Sequence, residues 1–292
     1  MSNKVIYLDG KFVGEDEAKL SVFDHGVLYG DGVFEGIRAY NGRIFRCEEH
    51  IDRLYAAAKA IMLNIPISKQ EMTEVLLETC RKNNLKDGYI RLVVTRGKGD
   101  LGLNPLNCPV PSIFCIAADI QLYPEEMYTK GMPIVTAAQR RNKATIVDPQ
   151  IKSLNYLNNI LAKMEANRAG VPEALMLNHE GIVAECTGDN IFIIKDNVVY
   201  TPPIHVGILD GITRRTAMEL LEKLGYKVVE KEFTLFNVYN ADECFLTGTA
   251  AEAIPVTSVD ERVIAEGTAG PITTTLIKAF KDYVNNNGTD IN

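Results

Sequence analysis

Apolar positions along the chain follow two periods, and the switches between them mark the elements. "VIYLDGKFVG" alternates on both sides of Asp9-Gly10, the signature of a hairpin with a two-residue turn. "GIRAYNGRIF" repeats the pattern about Asn41-Gly42. In "EEHIDRLYAAAKAIML" the spacing changes to three and four, with Ile51, Leu54, Ala58 and Ile61 forming a helical stripe. "KQEMTEVLLETCRKN" reads as a second helix after Pro66, and "GYIRLVVTRG" and "PSIFCIAAD" as strands. Residues 1–120 therefore read as a small α+β domain. The polar, proline-marked "IQLYPEEMYTKGMP" supplies a linker over 121–131, and 132–292 form a larger second domain.

In that second part, "DPQIKSLNYLNNILAK" predicts a helix starting at Leu154. Its buried stripe would be Leu154, Leu157, Ile160, Leu161 and Met164, with Ser153 as N-cap and an end before Gly170. Hairpins follow in "ALMLNHEGIVAE" and "NIFIIKDNVVYTPP", the latter turning near Asp196-Asn197. "TRRTAMELLEKLG" is a helix closed by Gly225. "YKVVEKEFT" and "ADECFLTGT" are strands, and a last helix begins at Pro271, carries Ile272, Leu276, Phe280 and Tyr283, and ends near Gly288. Strand and helix signals mix without regular βαβ alternation, which argues against a doubly wound parallel sheet.

Charge and cysteine content narrow the function classes. A net charge of -7 and a pI near 5.3 disfavour nucleic acid or an anionic membrane as a partner. No run approaches ~18 apolar residues, and "MSNKVIYLDG" has no signal-peptide core, so a cytoplasmic protein is expected. Six scattered cysteines without a CxxC pair read as reduced, mostly buried thiols, and four dispersed histidines give no metal pattern.

"GKGDLG" (97–102) matches GxGxxG after a strand, but Pro105, Pro109 and Pro111 follow where a dinucleotide site needs a helix. Better anion-binding features lie elsewhere. Gly211, Ile212 and Thr213 open a helix whose first N–H groups can hold a phosphate, and "FLTGTAAEA" places Gly248, Thr249 and Ala250 at a strand end. Arg53 lies off its helix's apolar stripe, and Glu185 stands at another strand end. Lys152 precedes the helix start, where the dipole disfavours a cation and would keep its amine reactive. A lysine able to form a Schiff base, a carboxylate for a pyridinium nitrogen and several phosphate donors are what pyridoxal phosphate requires.

The stretches "YGDGVFEGIRAY", "EEHIDRLYAAAK", "GYIR", "IKSLNYLNN", "AECTGDNIF", "GITRRT" and "FLTGTAAEA" occur in the order found in class IV (fold type IV) aminotransferases. The chain resembles that family over nearly its whole length, and within it the branched-chain amino acid aminotransferases. The resemblance implies a two-domain α+β fold like that of D-amino acid aminotransferase, with the active site between the domains. It implies pyridoxal 5'-phosphate as cofactor, Lys152 as the Schiff-base lysine and Glu185 as partner of the ring nitrogen. Arg53, Ile212, Thr213 and Thr249 would bind the phosphate, and Tyr156 the ring's phenolic oxygen. Tyr29, Phe34, Arg38, Tyr89 and Arg91, with Thr249 and Ala250, would bind substrate.

The reaction implied is reversible transfer of the amino group of L-leucine, L-isoleucine or L-valine to 2-oxoglutarate, giving L-glutamate. A homodimer, or a larger homo-oligomer of dimers, is implied as well. Two relatives of the same fold compete, a D-amino acid transaminase and an aminodeoxychorismate lyase. The loop "TRGKGDLGLNP" lacks the histidine of the first, and "GYIR" with "GLNP" counts against the second. A non-catalytic pyridoxal-phosphate or phosphate-binding protein would need no lysine facing the ring.

Overall fold

The computed structural model describes residues 4–120 and 123–292. The chain order begins β1 (Val5–Leu8), β2 (Lys11–Gly14), α1 (His25–Tyr29), β3 (Gly32–Tyr40), β4 (Arg43–Ile44), α2 (Cys47–Ala60), α3 (Lys69–Lys82), β5 (Gly88–Thr95) and β6 (Ser112–Ala118). It continues with α4 (Glu125–Lys130), β7 (Met132–Thr136), α5 (Leu157–Ala169), β8 (Glu173–Leu177), β9 (Val183–Cys186), β10 (Asn190–Lys195), β11 (Val198–Thr201) and α6 (Ile212–Lys223). It closes with β12 (Lys227–Glu230), α7 (Leu235–Tyr239), β13 (Glu243–Gly248), β14 (Glu252–Val259), β15 (Arg262–Val263), α8 (Pro271–Asn286) and β16 (Thr289–Asp290).

Two compact units result. The first comprises Met1–Ile120, Ile151–Asn155 and Val284–Asn292; the second comprises Gln121–Gln150 and Tyr156–Tyr283. These units are not the contiguous segments expected from sequence, because two distant pieces of chain join the first. The segment 121–131, expected as a linker, carries α4 and belongs to the second unit, with residues 121 and 122 outside the described residues.

In the first unit an antiparallel sheet runs β16-β4-β3-β5-β6-β1-β2. Its hairpins turn at Asp9-Gly10 and Asn41-Gly42, where both residues of each pair have positive φ, the backbone that two-residue turns between twisted strands require. Val33, Ile37, Ile90 and Leu92 pack with Ile51 and Leu54 of α2 and Met72 and Leu76 of α3 in one apolar core. Ser68 caps α3, its hydroxyl accepting from the Glu71 N–H while Glu71 reaches back to the Ser68 N–H.

The second unit holds a mixed sheet in the order β12-β11-β10-β13-β14-β7-β8-β9, with β15 on β14. β11–β12, β14–β7 and β7–β8 are parallel pairs, and the other neighbours antiparallel. The helix after Lys152 differs from expectation. It begins at Leu157 with Tyr156 as N-cap, not at Leu154 with Ser153. Its inward side carries Asn159, Ala162 and Ala166, and the alanines pack on Ala137, Ala174 and Met176. The expected stripe faces outward, with Leu157 61% and Ile160 52% exposed.

Candidate active site

The first unit assembles a cationic, aromatic face. β3 and β5 pair with Gly36 opposite Arg91 and Arg38 opposite Tyr89. Directly opposed residues share a face and every second residue returns to it, so Phe34, Gly36, Arg38, Tyr89 and Arg91 lie together. The Arg91 guanidinium sits 4.6 Å from the Phe34 ring centroid and 5.3 Å from that of Tyr89, and Arg38 lies 5.0 Å from the Tyr40 ring. Gly36 is the floor that lets Tyr89 lie down, since a Cβ there would stand 1.9 Å from Tyr89 Oη.

Lys152 reaches the same face because its segment pairs with β3. The Phe34 N–H donates to the Lys152 carbonyl at 3.0 Å, the Leu154 N–H donates to Gly32 O at 2.9 Å, and Val33 bridges Ser153. The Lys152 ammonium then lies 4.7 Å from the Phe34 ring centroid. Since α5 starts only at Leu157, Lys152 is not at its first turn, and a helix dipole fades beyond one turn. Strand pairing places this lysine; the dipole argument made from sequence does not apply.

On the opposite face of β3, Glu35 is fully buried beneath α2. Arg53 clamps it with two bonds, Nε to Oε1 at 2.8 Å and Nη2 to Oε2 at 2.7 Å, and His50 Nδ1 donates to Oε2 at 2.8 Å. Burial alone would raise the Glu35 pKa. The Arg53 charge and hydrogen bonds, with help from His50, outweigh it and hold Glu35 at about 2. Burial lowers His50, and the Arg53 and Lys152 charges push the same way against its bond to Glu35. Tyr29, the last residue of α1, is engaged elsewhere: its hydroxyl donates to the Leu101 carbonyl and its ring meets His25 edge-on at 5.0 Å.

The second unit builds its set around Glu185, at the end of β9. Arg141 Nε donates to Glu185 Oε1 at 2.7 Å, while Asn190 Nδ2 and the Leu209 N–H each donate to Oε2 at 3.1 Å. Asn190 also donates to Leu209 O at 3.0 Å, fixing the loop that leads into α6. That helix begins at Ile212 behind Gly211, which provides no side-chain cap, so its first-turn N–H groups need another acceptor. A Cβ on Gly211 would stand 2.0 Å from Asn190 Oδ1, which explains glycine there. Ile212 and Thr213 are buried in this first turn, and Thr249 and Ala250 form the half-buried turn after β13. Tyr156 is the half-buried N-cap of α5.

Lys152, Phe34, Arg38, Tyr89 and Arg91 thus converge in the first unit. Glu185 and the opening of α6 are tied together in the second. Sequence reading missed Glu35, His50, Arg141 and Asn190. Glu35 had a signal, a charge at the core-facing parity of "GVFEGIRAY"; His50 had one too, three residues before Arg53 on the same helix face. The "GKGDLG" loop leads into a short turn at Pro105–Asn107, not the long helix a dinucleotide site requires.

The residues present fit pyridoxal phosphate by the chemistry of their donors. The first unit offers an amine, and the second a buried carboxylate fixed by three donors and an uncapped helix start, which are the groups its aldehyde, ring nitrogen and phosphate need.

Comparison with known proteins points the same way. The family profile for class IV amino-transferases matches residues 32–259. A protein of Methanocaldococcus jannaschii, provisionally named a branched-chain-amino-acid aminotransferase, is 55% identical over 95% of both chains. The branched-chain-amino-acid aminotransferase of Pseudomonas aeruginosa is 42% identical over 96% of this chain and 92% of its own. A D-alanine aminotransferase of Listeria monocytogenes is 38% identical over 96% of each. The T.th. branched-chain amino acid aminotransferase superposes with a TM-score of 0.93 in its complex with 4-methylvaleric acid, at 39% identity over 98% of this chain and 95% of that one. Its complex with N-(5'-phosphopyridoxyl)-L-glutamate gives 0.91 at 38% identity and the same coverage.

Proposed function

This chain belongs to the class IV aminotransferases, which use pyridoxal 5'-phosphate, and from that membership we propose that it is a branched-chain amino acid transaminase. It moves the amino group of L-leucine, L-isoleucine or L-valine to 2-oxoglutarate, releasing the branched-chain 2-oxo acid and L-glutamate.

The observation that carries this reading is the Phe34 face. An aromatic ring in contact with two cations, with Tyr89 and Arg38 beside it, offers apolar wall to an aliphatic side chain and guanidinium groups to the second carboxylate of glutamate. The two ligands of the T.th. enzyme, one aliphatic and one derived from glutamate, support the same duality. Apolar walls separate neighbouring aliphatics by only about 1–3 kcal/mol per methylene, so all three branched substrates are accepted.

Bound pyridoxal phosphate supplies an electron sink for the bond broken at the substrate's α-carbon. Lys152 provides the amine that holds the cofactor and, once released, carries the α-proton. Glu185, anchored by Arg141 and Asn190, keeps a proton on the ring nitrogen. Thr213, Thr249 and the Ile212 N–H would hold the phosphate, with Arg53, whose Nε and Nη2 are bonded to Glu35, as the cation proposed for it, and the Tyr156 hydroxyl would meet the ring's phenolic oxygen. The Thr249–Ala250 turn would receive the substrate's α-carboxylate.

Self-association belongs to the same reading. Leu157, Ile160, Leu161 and Met164 expose an apolar stripe on α5, a surface that a second copy of this chain would cover in a homodimer or a larger assembly. Six free, buried thiols suit a reducing cytoplasm.

A second reading, D-amino acid transamination, is favoured by the D-alanine aminotransferase relative. Formation of glutamate from 2-oxoglutarate decides between them. L-leucine as donor should support it, with D-alanine giving little. Turnover with D-alanine alone would replace the proposal with the second reading.

A further inference from the structure

Two buried carboxylates of the second unit have no part in the roles above. Glu173 of β8 and Asp189, in the turn between β9 and β10, are 3% and 6% exposed. Their hydrogen bonding is unequal. Glu173 Oε1 accepts from Thr187 Oγ1 at 2.6 Å, from the Thr187 N–H at 3.1 Å and from the Ala174 N–H at 2.7 Å. Asp189 Oδ2 is buried with no hydrogen-bond partner among the described residues.

Two carboxylates that sense each other in a water-poor space share a proton, because both charges together are too costly. Donor supply decides which one keeps it. Three donors stabilise the Glu173 carboxylate, whereas a proton on Asp189 removes the charge from an oxygen that nothing solvates. The groups facing Asp189 are Glu173 on β8, Glu185 on β9, the Tyr123 hydroxyl and Lys163 of α5. Burial raises the Asp189 pKa first, and the Glu173 and Glu185 charges raise it further, against the opposing pull of the Lys163 charge and of the Tyr123 hydroxyl.

Asp189 also touches the anion-binding turn. A Cβ on Gly248 would stand 1.9 Å from Asp189 Oδ1, so the carboxyl lies directly against the residue that leads into Thr249 and Ala250. We propose that Asp189 is held as a neutral acid against Gly248, and that this neutrality is what lets the Thr249–Ala250 turn accept an anion. Loss of the proton sets a negative charge against the turn and repels phosphate or carboxylate. The first half stands on the protein alone; the second rests on the cofactor reading of Thr249. Asp189 is a positioning residue, acting through the turn.

The test compares wild-type protein with Asp189→Asn, which keeps the shape and cannot ionise. Carbon NMR of the labelled Asp189 carboxyl, without cofactor, should show it protonated at neutral pH and ionising only in the alkaline range. Pyridoxamine 5'-phosphate, which forms no covalent link to Lys152, is the binding probe. Its affinity for wild type should fall at least tenfold as Asp189 ionises, while the variant, comparable at neutral pH, lacks that fall.

If Asp189→Asn does not fold, Glu173→Gln serves instead. Removing the neighbouring charge lowers the Asp189 pKa, so weakening should begin at lower pH. An ionised Asp189 at neutral pH overturns the proposal, as do parallel pH profiles in wild type and variant. Failure of either protein to bind the probe overturns the cofactor reading and the coupling with it, while the carboxyl titration independently decides the protonation.

Discussion

Arg141 donates its Nε–H to Glu185 Oε1 across 2.7 Å, and each residue is only 5% exposed. Removing one member of such a pair leaves a buried charge alone, at a cost of about 3–5 kcal/mol. Arg141→Met should therefore lower the melting temperature and also leave Glu185 without the guanidinium that fixes its position. A displaced Glu185 would no longer fill the proposed role at the ring nitrogen, so turnover should fall well beyond the stability loss. Thermal melts beside kcat separate the two effects, and a variant with normal kcat would remove Arg141 from the site.

Lys152→Ala should abolish turnover. The backbone carbonyl of residue 152 still accepts from the Phe34 N–H, so the fold should survive. Borohydride reduction of the holoprotein, read by mass spectrometry, should attach the cofactor to Lys152 in wild type and leave the variant unlabelled. Substantial transamination by the variant without added amine would end the assignment.

Glu35 makes acid stability a readout of the first unit. Its folded pKa of about 2 lies below the ordinary 4.5, a difference on the order of 3 kcal/mol of stability. The depressed value means that this contribution is complete above about pH 4.5 and is lost as pH falls toward 2. Urea melts of wild type and Glu35→Gln should differ most near neutrality and converge through that window. A gap independent of pH would contradict the burial and pairing described.

Gly36→Ala places a methyl group where Tyr89 Oη now lies. The Tyr89 ring must move, and Arg91, 5.3 Å from it, moves with it. We expect KM for L-leucine to rise about tenfold, roughly 1.4 kcal/mol of binding, with little change in cofactor affinity. Unchanged KM would take this face out of substrate binding.

Leu157→Glu combined with Leu161→Glu should abolish the proposed self-association in sedimentation velocity while leaving the melting temperature of the chain nearly unchanged, because both side chains are exposed, at 61% and 41%. Identical sedimentation would place any self-association elsewhere.

The hairpins and α2, α3, α6 and α8 were legible because turn chemistry and helical period act locally. The helix after Lys152 was misread for a definite reason. Periodicity reports which residues are apolar, and in α5 the inward face is built from Asn159 and two alanines while the larger apolar residues point outward. β14 was hidden by Pro255 within it and by Glu252 at positive φ at its start. Motif matching singled out Lys152 and Glu185 as candidates, but Arg141 lies 44 residues from Glu185, and no local pattern joins them. Glu35 was readable in principle from strand parity alone.

The most direct test is the visible spectrum of the protein loaded with pyridoxal phosphate, taken before and after L-leucine and, separately, D-alanine. Lys152 and Glu185 in their stated roles should give a yellow protein whose band is lost with L-leucine and persists with D-alanine. A band lost only with D-alanine would contradict the branched-chain assignment, and a protein that stays colourless with the cofactor supplied would contradict the site itself.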